Sequence, residues 1–151
     1  MKKFSNLNTV LAVIIIILLA IIILRGKDND VKPLPKPVGI SVLGRKDDLV
    51  SSSVKAGDAV SGKQKFSAVV KGGYFFEANI LVNILDANKN ILKKGNAQAS
   101  GEWMTAEPVG FETELDFTGL PKGPGYIEIH NDNPSDMREN DKQILIPIII
   151  K

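Results

Sequence analysis

The sequence predicts an all-β fold, a two-sheet antiparallel sandwich of about seven strands, preceded by one transmembrane helix. Three observations predict it. Residues 10–24 are apolar without interruption, residues 38–151 repeatedly alternate apolar and polar side chains, and turn-forming Gly, Pro, Asn and Asp separate the alternating runs. A length of 151 residues fits one such domain with an additional segment.

The charge distribution divides the chain at the same place. Residues 1–37 carry six Lys or Arg against two acidic residues, whereas residues 38–151 carry thirteen against fifteen. The domain lacks the basic surplus that binding to a phosphate backbone requires, so nucleic acid is not an expected partner. The chain has no Cys, which leaves no thiol for lipid attachment.

A short tail, residues 1–6, precedes a segment predicted to span a membrane, residues 7–25. Residues 10–24 include seven Ile and four Leu and no polar side chain. A helix of this run is about 22 Å long, or about 27 Å counted from Leu7, against a hydrocarbon core of about 30 Å. The segment can therefore just cross a bilayer.

The same segment must be weighed against a cleavable secretory signal, because two lysines precede it. Residues 21–24 run directly into Arg25 and offer no small residues for a signal peptidase, so an uncleaved anchor is favoured. A buried core helix is the least favoured interpretation. Charge alone does not orient the anchor, but a short tail before an apolar run is typical of export, which places the domain outside the cytoplasm.

Residues 26–37 form a Pro-rich linker. Proline occupies every second position of residues 33–37, a pattern that excludes a helix and a paired strand. As an extended spacer of about 3.1 Å per residue, the linker would hold the domain roughly 30 to 40 Å from the membrane.

The domain, residues 38–151, shows the period of half-buried strands. The alternation is clearest at residues 111–117, where three apolar side chains occupy one face and three carboxylates the other. The predicted strands are residues 38–43, 65–70, 79–85, 91–99, 111–117, 126–130 and 143–150. Seven short strands with frequent turns in about 110 residues are typical of a two-sheet sandwich.

Six short motifs make the prediction more specific. In chain order they are YFFEA (74–78), LDAN (85–88), AQASGEWMT (97–105), DNPS (132–135), END (139–141) and ILIPI (144–148). Together they resemble the immunoglobulin-like domain family named after bacterial spore germination proteins, over residues 38–150. The resemblance implies an immunoglobulin-like sandwich on an exported or membrane-tethered bacterial protein, in a family not known for enzymes.

Each cluster of polar residues has an alternative interpretation. Asp86, Asn88 and Asn90 have the spacing of a calcium loop, but Ile91 and Ala97 occupy the Gly and Glu positions, so a hairpin turn is favoured. Residues 132–141 contain six carboxylate or amide side chains in no known cation-loop spacing, which favours a connection rich in Asx turns.

Two further groups could suggest catalysis. Glu112 and Glu114 lie about 7 Å apart on one strand face, within the range of glycosidase carboxylates, but adjacent acids more often form the solvated side of a sheet. His130 could act as a general base only beside a nucleophile, and the sequence contains no Cys and no Gly-x-Ser-x-Gly motif. No catalytic residue, metal ligand or cofactor is therefore expected.

The aromatic residues are the best candidates for binding. Residues 74–76 are three consecutive aromatics, which cannot all face one side of a strand. They either plug the end of the sandwich or contribute to an exposed contact patch. The predicted patch comprises Tyr74, Trp103, Met104, Asp132 and Asn133, since aromatic residues and Met are favoured in interfaces.

These features predict a membrane-anchored, single-pass, non-catalytic module whose domain lies outside the cytoplasm and binds an envelope protein or wall polymer. The family name makes germination one setting for it. The alternative is a structural subunit that self-associates through the edge of the strand at residues 144–150, although Pro147 removes one donor there.

Overall fold

The described residues form ten strands, whereas the sequence predicts seven. A computed structural model describes residues 40–135 and 137–151, which fall within one unit, residues 39–151. The strands are β1 (Leu43–Gly44), β2 (Leu49–Ser52), β3 (Asp58–Val60), β4 (Lys63–Val70), β5 (Asn79–Asp86), β6 (Ile91–Lys93), β7 (Asn96–Ala99), β8 (Val109–Asp116), β9 (Gly123–His130) and β10 (Gln143–Ile150). Within the described ranges, the helices are two single 3₁₀ turns, Lys46–Asp48 and Arg138–Asn140.

The predicted tail (1–6), membrane segment (7–25) and Pro-rich linker (26–37) lie outside the described residues. So does the start of the first predicted strand, residues 38–39. In the part of the chain that the structure describes, no helix combines the length and the apolar character needed to cross a bilayer.

Hydrogen bonds connect the strands in the order β1, β10, β9, β5, β7, β8, β4, β2, with β3 added to β10 and β6 added to β5. All pairings are antiparallel except that of β3 with β10. The prediction of an all-β, mainly antiparallel fold is confirmed. The two predicted sheets are joined into one array, because β7 pairs with β5 on one side and with β8 on the other.

One hydrophobic core gathers inward-facing side chains from both ends of this strand order. Phe66 of β4 and Phe111 of β8 are buried, with ring centroids 6.1 Å apart. Ile80 of β5 and Ile127 of β9 belong to the same cluster and are fully buried. Such a shared core is the packing that a two-layer arrangement requires, and it accounts for the alternation in the sequence.

Strand β10 is interior, which contradicts self-association through its edge. β10 pairs with β9 along its whole length, and its other side pairs with β1 and then with β3. Pro147 lies between the last two pairings, where its carbonyl oxygen accepts a hydrogen bond from Gly57 N at 2.8 Å. Residues 144–146 are all buried, as expected for a strand covered on both faces. Residues 144–150 therefore offer no free edge.

Two strand predictions need correction, and two strands were missed. Residues 40–42 of the predicted first strand are not in a strand, and only Leu43–Gly44 pairs with β10. The predicted strand at 91–99 is interrupted at Lys94 and Gly95. There the backbone of Gly95 lies against β5, and Val82 N donates to Gly95 O at 2.9 Å. Strands β2 and β3 were not predicted.

Candidate functional site

Three connections meet at one end of the domain, and they contain the predicted contact residues. These connections are residues 71–78, 100–108 and 131–142. Gly72 touches the second connection: a Cβ atom there would lie 1.8 Å from Thr105 O, so only glycine fits. Lys142, in the third, donates from Nζ to Gly73 O at 3.0 Å. The first connection thus holds the other two in place.

Tyr74 is buried at this end, with 1% of its surface exposed. Its hydroxyl donates a hydrogen bond to Asp48 Oδ2 at 3.1 Å, and Lys142 Nζ lies 5.5 Å from its ring centroid. Burial and the nearby Asp48 carboxylate raise the pKa of the Tyr74 hydroxyl well above its usual range. Tyr74 therefore plugs the end of the domain, and its ring does not form part of an exposed surface.

Trp103 and Met104 differ in exposure although they are adjacent. Trp103 is half-buried and packs against the core. Met104 is 75% exposed, and its backbone N donates to Glu102 Oε1 at 3.0 Å. The packing of Trp103 against the core thus anchors the loop, and the adjacent Met104 side chain is exposed to solvent.

Asp132 and Asn133 are half-buried and engaged within the domain. Asp132 Oδ2 accepts a hydrogen bond from Asn79 Nδ2 at 2.9 Å, and Asp132 N donates to Tyr74 O at 3.2 Å. Asn133 Nδ2 donates to Met137 O and to Asp141 Oδ1, each at 2.9 Å. Among the described residues, Tyr74 and Asp132 are the two predicted contact residues that are hydrogen-bonded to each other.

The polar residues around Asp86, whose spacing resembles a calcium loop, form hydrogen bonds within their own turn. The Asp86 carboxylate accepts hydrogen bonds from Asn88 N and Asn90 N at 2.8 Å and from Asn90 Nδ2 at 2.9 Å, and the two contacts from Asn90 are the main reason its pKa lies below the usual value. This is an Asx-stabilised hairpin turn, as favoured from the sequence. Within residues 40–135 and 137–151, no group of three or more acidic or His side chains could hold a metal ion.

The acids on the outer face of β8 are paired with lysines of β4. Glu112 Oε1 lies 2.7 Å from Lys65 Nζ, and Glu114 Oε1 lies 3.6 Å from Lys63 Nζ. The contact with Glu112 raises the pKa of Lys65. Both pairs are exposed to solvent and act as cross-strand contacts of modest strength.

A second site was not predicted from the sequence. Glu128 of β9 is buried on the face of the sheet opposite the core, beside a cavity of about 420 Å³. The one available signal was a single acid within the alternating residues 126–130. Its partners come from β5 and β10, and their proximity depends on strand order.

Comparison with known families decides the domain type. The family model of the immunoglobulin-like domain of bacterial spore germination (Gmad2) matches residues 46–138. The chain belongs to this family. No curated protein and no solved structure gave a significant match.

The match to the spore germination immunoglobulin-like family confirms the resemblance over residues 46–138, which contain four of the six motifs. The motifs at residues 139–141 and 144–148 follow the matched residues. The matched residues include β2 to β9 and two of the connections at the Tyr74 end. Strand β10 follows the matched residues, yet it pairs with β9 along its whole length. The folded domain of this chain therefore extends beyond the match on its C-terminal side.

Proposed function

We propose that this protein is a non-catalytic binding module, held at the outer side of a bacterial cell membrane by residues 7–25. Its immunoglobulin-like domain would contact another envelope protein or a wall polymer. The observation that carries the proposal is an apolar run long enough to cross a bilayer, followed in the same chain by a domain of a spore germination family. In this arrangement residues 26–37 act as the spacer.

The proposed contact surface is the loop that carries Trp103 and Met104. Methionine is favoured where an interface loses water, because its side chain is flexible and polarizable. Met104 is the most exposed large hydrophobic side chain among the described residues. The hydrogen bonds of Tyr74, Asp132 and Asn133 hold the connections next to this loop in place.

A non-catalytic role is supported by the way in which the candidate acids and bases are used. Glu112 and Glu114 are paired with lysines. His130 Nδ1 lies 2.7 Å from Asn131 O, and because a carbonyl oxygen only accepts, Nδ1 donates. These contacts suit side chains that stabilise strands and strand ends.

Photo-crosslinking in cells that express the full chain tests the contact surface. A photoreactive phenylalanine analogue at Met104 should give a discrete adduct of higher mass. The matched control is Val50, which is also an exposed hydrophobic residue but lies on β2. The proposal predicts an adduct from position 104 that is weakened by Trp103→Ala and is absent from position 50. Equal labelling from both positions, or none from position 104, would contradict it.

A further inference from the structure

A cavity on the face of β5, β9 and β10 that points away from the core has the composition of a small binding site. Its volume is about 420 Å³. The side chains of Asn83, Glu128 and Gln143 line it together with the apolar side chains of Leu81 and Ile91. The cavity thus combines polar groups from three strands with aliphatic walls, as small-molecule sites commonly do.

Glu128 is the charged group of this cavity, and 6% of its surface is exposed. Asn83 Nδ2 donates to Glu128 Oε2 at 2.7 Å, and Gln143 Nε2 donates to Glu128 Oε1. Asn83 is itself oriented by Gly95 N, which donates to Asn83 Oδ1 at 3.3 Å. The carboxylate is therefore held in one position by neutral donors.

The cation that such a carboxylate usually has is missing among the described residues. The salt bridges of residues 40–135 and 137–151 include none to Glu128 within 4.0 Å. Buried charges in proteins are normally paired, because leaving water is costly. Each carboxylate oxygen can accept a second hydrogen bond besides the one from its amide. The site therefore has acceptor positions for a cation, and no Lys or Arg side chain of the described residues contacts the Glu128 carboxylate within 4.0 Å.

We propose that this cavity binds a primary ammonium group carried on an alkyl chain. The ammonium would donate to the free acceptor positions of Glu128, and the alkyl chain would lie against Leu81 and Ile91. His130 also lines the cavity, and because its Nδ1 donates to Asn131 O, Nε2 is the ring nitrogen that can act as an acceptor. This site is separate from the loop proposed above as the contact surface and does not depend on the location of the domain.

Lys94 makes the proposal more specific. It lines the same cavity and is exposed, so the chain itself brings a positive charge near the proposed ligand. Like charges repel, so Lys94 should weaken the binding of an ammonium ligand. Lys94→Ala is therefore expected to tighten binding several-fold.

The experiment titrates the full-length chain in detergent micelles with Nα-acetyl-lysine methylamide by calorimetry. The control ligand is Nα-acetyl-norleucine methylamide, which has an alkyl chain without the ammonium. We expect saturable binding of the lysine derivative, at least tenfold weaker binding of the norleucine derivative, and at least tenfold weaker binding of the lysine derivative to Glu128→Gln. Glu112→Gln, the same change at an exposed carboxylate, should leave binding unchanged.

Since Glu128→Gln also disturbs two amide contacts, a second variant keeps the test decisive. Leu81→Trp fills the cavity, leaves the carboxylate in place and should abolish binding. The proposal is overturned if the lysine derivative does not bind the wild type, or if norleucine binds equally well. It is also overturned if Leu81→Trp binds like the wild type, or if Glu112→Gln removes the binding.

Discussion

At the scale of single residues, the hydroxyl of Tyr74 is the polar group around which one end of the domain is organised. It donates to Asp48, whose carboxylate also lies 3.7 Å from Arg45 and 3.7 Å from Lys71. A buried hydroxyl needs such a partner, because an unpaired one would lose its hydrogen bond with water and gain nothing. Tyr74 thus stabilises the domain by both its ring and its oxygen.

Tyr74→Phe should lower the free energy of unfolding by about 1 kcal/mol, since it removes one net hydrogen bond and keeps the ring. Urea denaturation at neutral pH measures this loss. Tyr126→Phe is the control, because Tyr126 is half-buried and the described residues offer its hydroxyl no hydrogen-bond partner. Equal losses in the two variants would contradict the role given to the contact with Asp48.

The raised pKa of Tyr74 also fixes the sign of a pH dependence. Because the pKa is higher in the folded than in the unfolded chain, the stabilisation is fully present below the pKa of an exposed tyrosine, about 10. It is lost as the pH rises above that value toward the pKa of the folded state. The difference in stability between wild type and Tyr74→Phe should therefore shrink above about pH 10.

At this scale the sequence predicts one candidate site in part and does not predict the other. It singles out Tyr74 and Trp103, but consecutive aromatics do not reveal which ring is buried. Alternation puts Glu128 on the face away from the core, yet its burial depends on partners 45 and 15 residues away along the chain. Such contacts follow from strand order, which no local pattern contains.

At the scale of elements, the turn that leads into β5 carries backbone strain. Phe76 and Asn79 exchange two backbone hydrogen bonds, of 3.0 and 2.8 Å. The two residues between them, Glu77 and Ala78, have φ of 49° and 62°. Two successive left-handed residues are typical of a type I′ turn, in which Gly or Asn is preferred. For other residues this conformation costs roughly 1–2 kcal/mol each.

Ala78→Gly should therefore raise the free energy of unfolding, by about 1 kcal/mol, because glycine adopts positive φ without steric cost. Chemical denaturation of the two chains measures the difference. Ala59→Gly provides the matched control: Ala59 is exposed in β3 at ordinary φ, so the same change should lower stability by roughly 0.5–1 kcal/mol. A similar loss in both variants would show that the turn is not strained.

The strands that could be predicted are the long ones, whose residues form an alternating run or a continuous apolar run. β4, β5, β8, β9 and β10 each have eight residues and were found from their apolar faces. β2 ends in two serines and β3 has three residues, so neither shows a period. The pairing of β7 with two neighbours, which joins the predicted sheets, is likewise set by tertiary contacts rather than by its own four residues.

At the scale of the whole molecule, a domain of the spore germination immunoglobulin-like family follows an apolar segment in one chain. Strand β10, which the sequence suggested as an edge for self-association, is paired on both sides and has no free edge. This favours contact through the loops at the Tyr74 end. The proposed function then depends on those loops lying outside the cytoplasm.

The most direct test of that claim is a topology measurement on the full chain. Alkaline phosphatase, which is active only outside the cytoplasm, is fused after Lys151, and the cells are separated into membrane and soluble fractions. The proposal predicts an active enzyme in the membrane fraction that detergent releases and high salt does not, and the loss of both properties when residues 10–24 are deleted. An inactive enzyme, or an undeleted chain recovered in the soluble fraction, would contradict it.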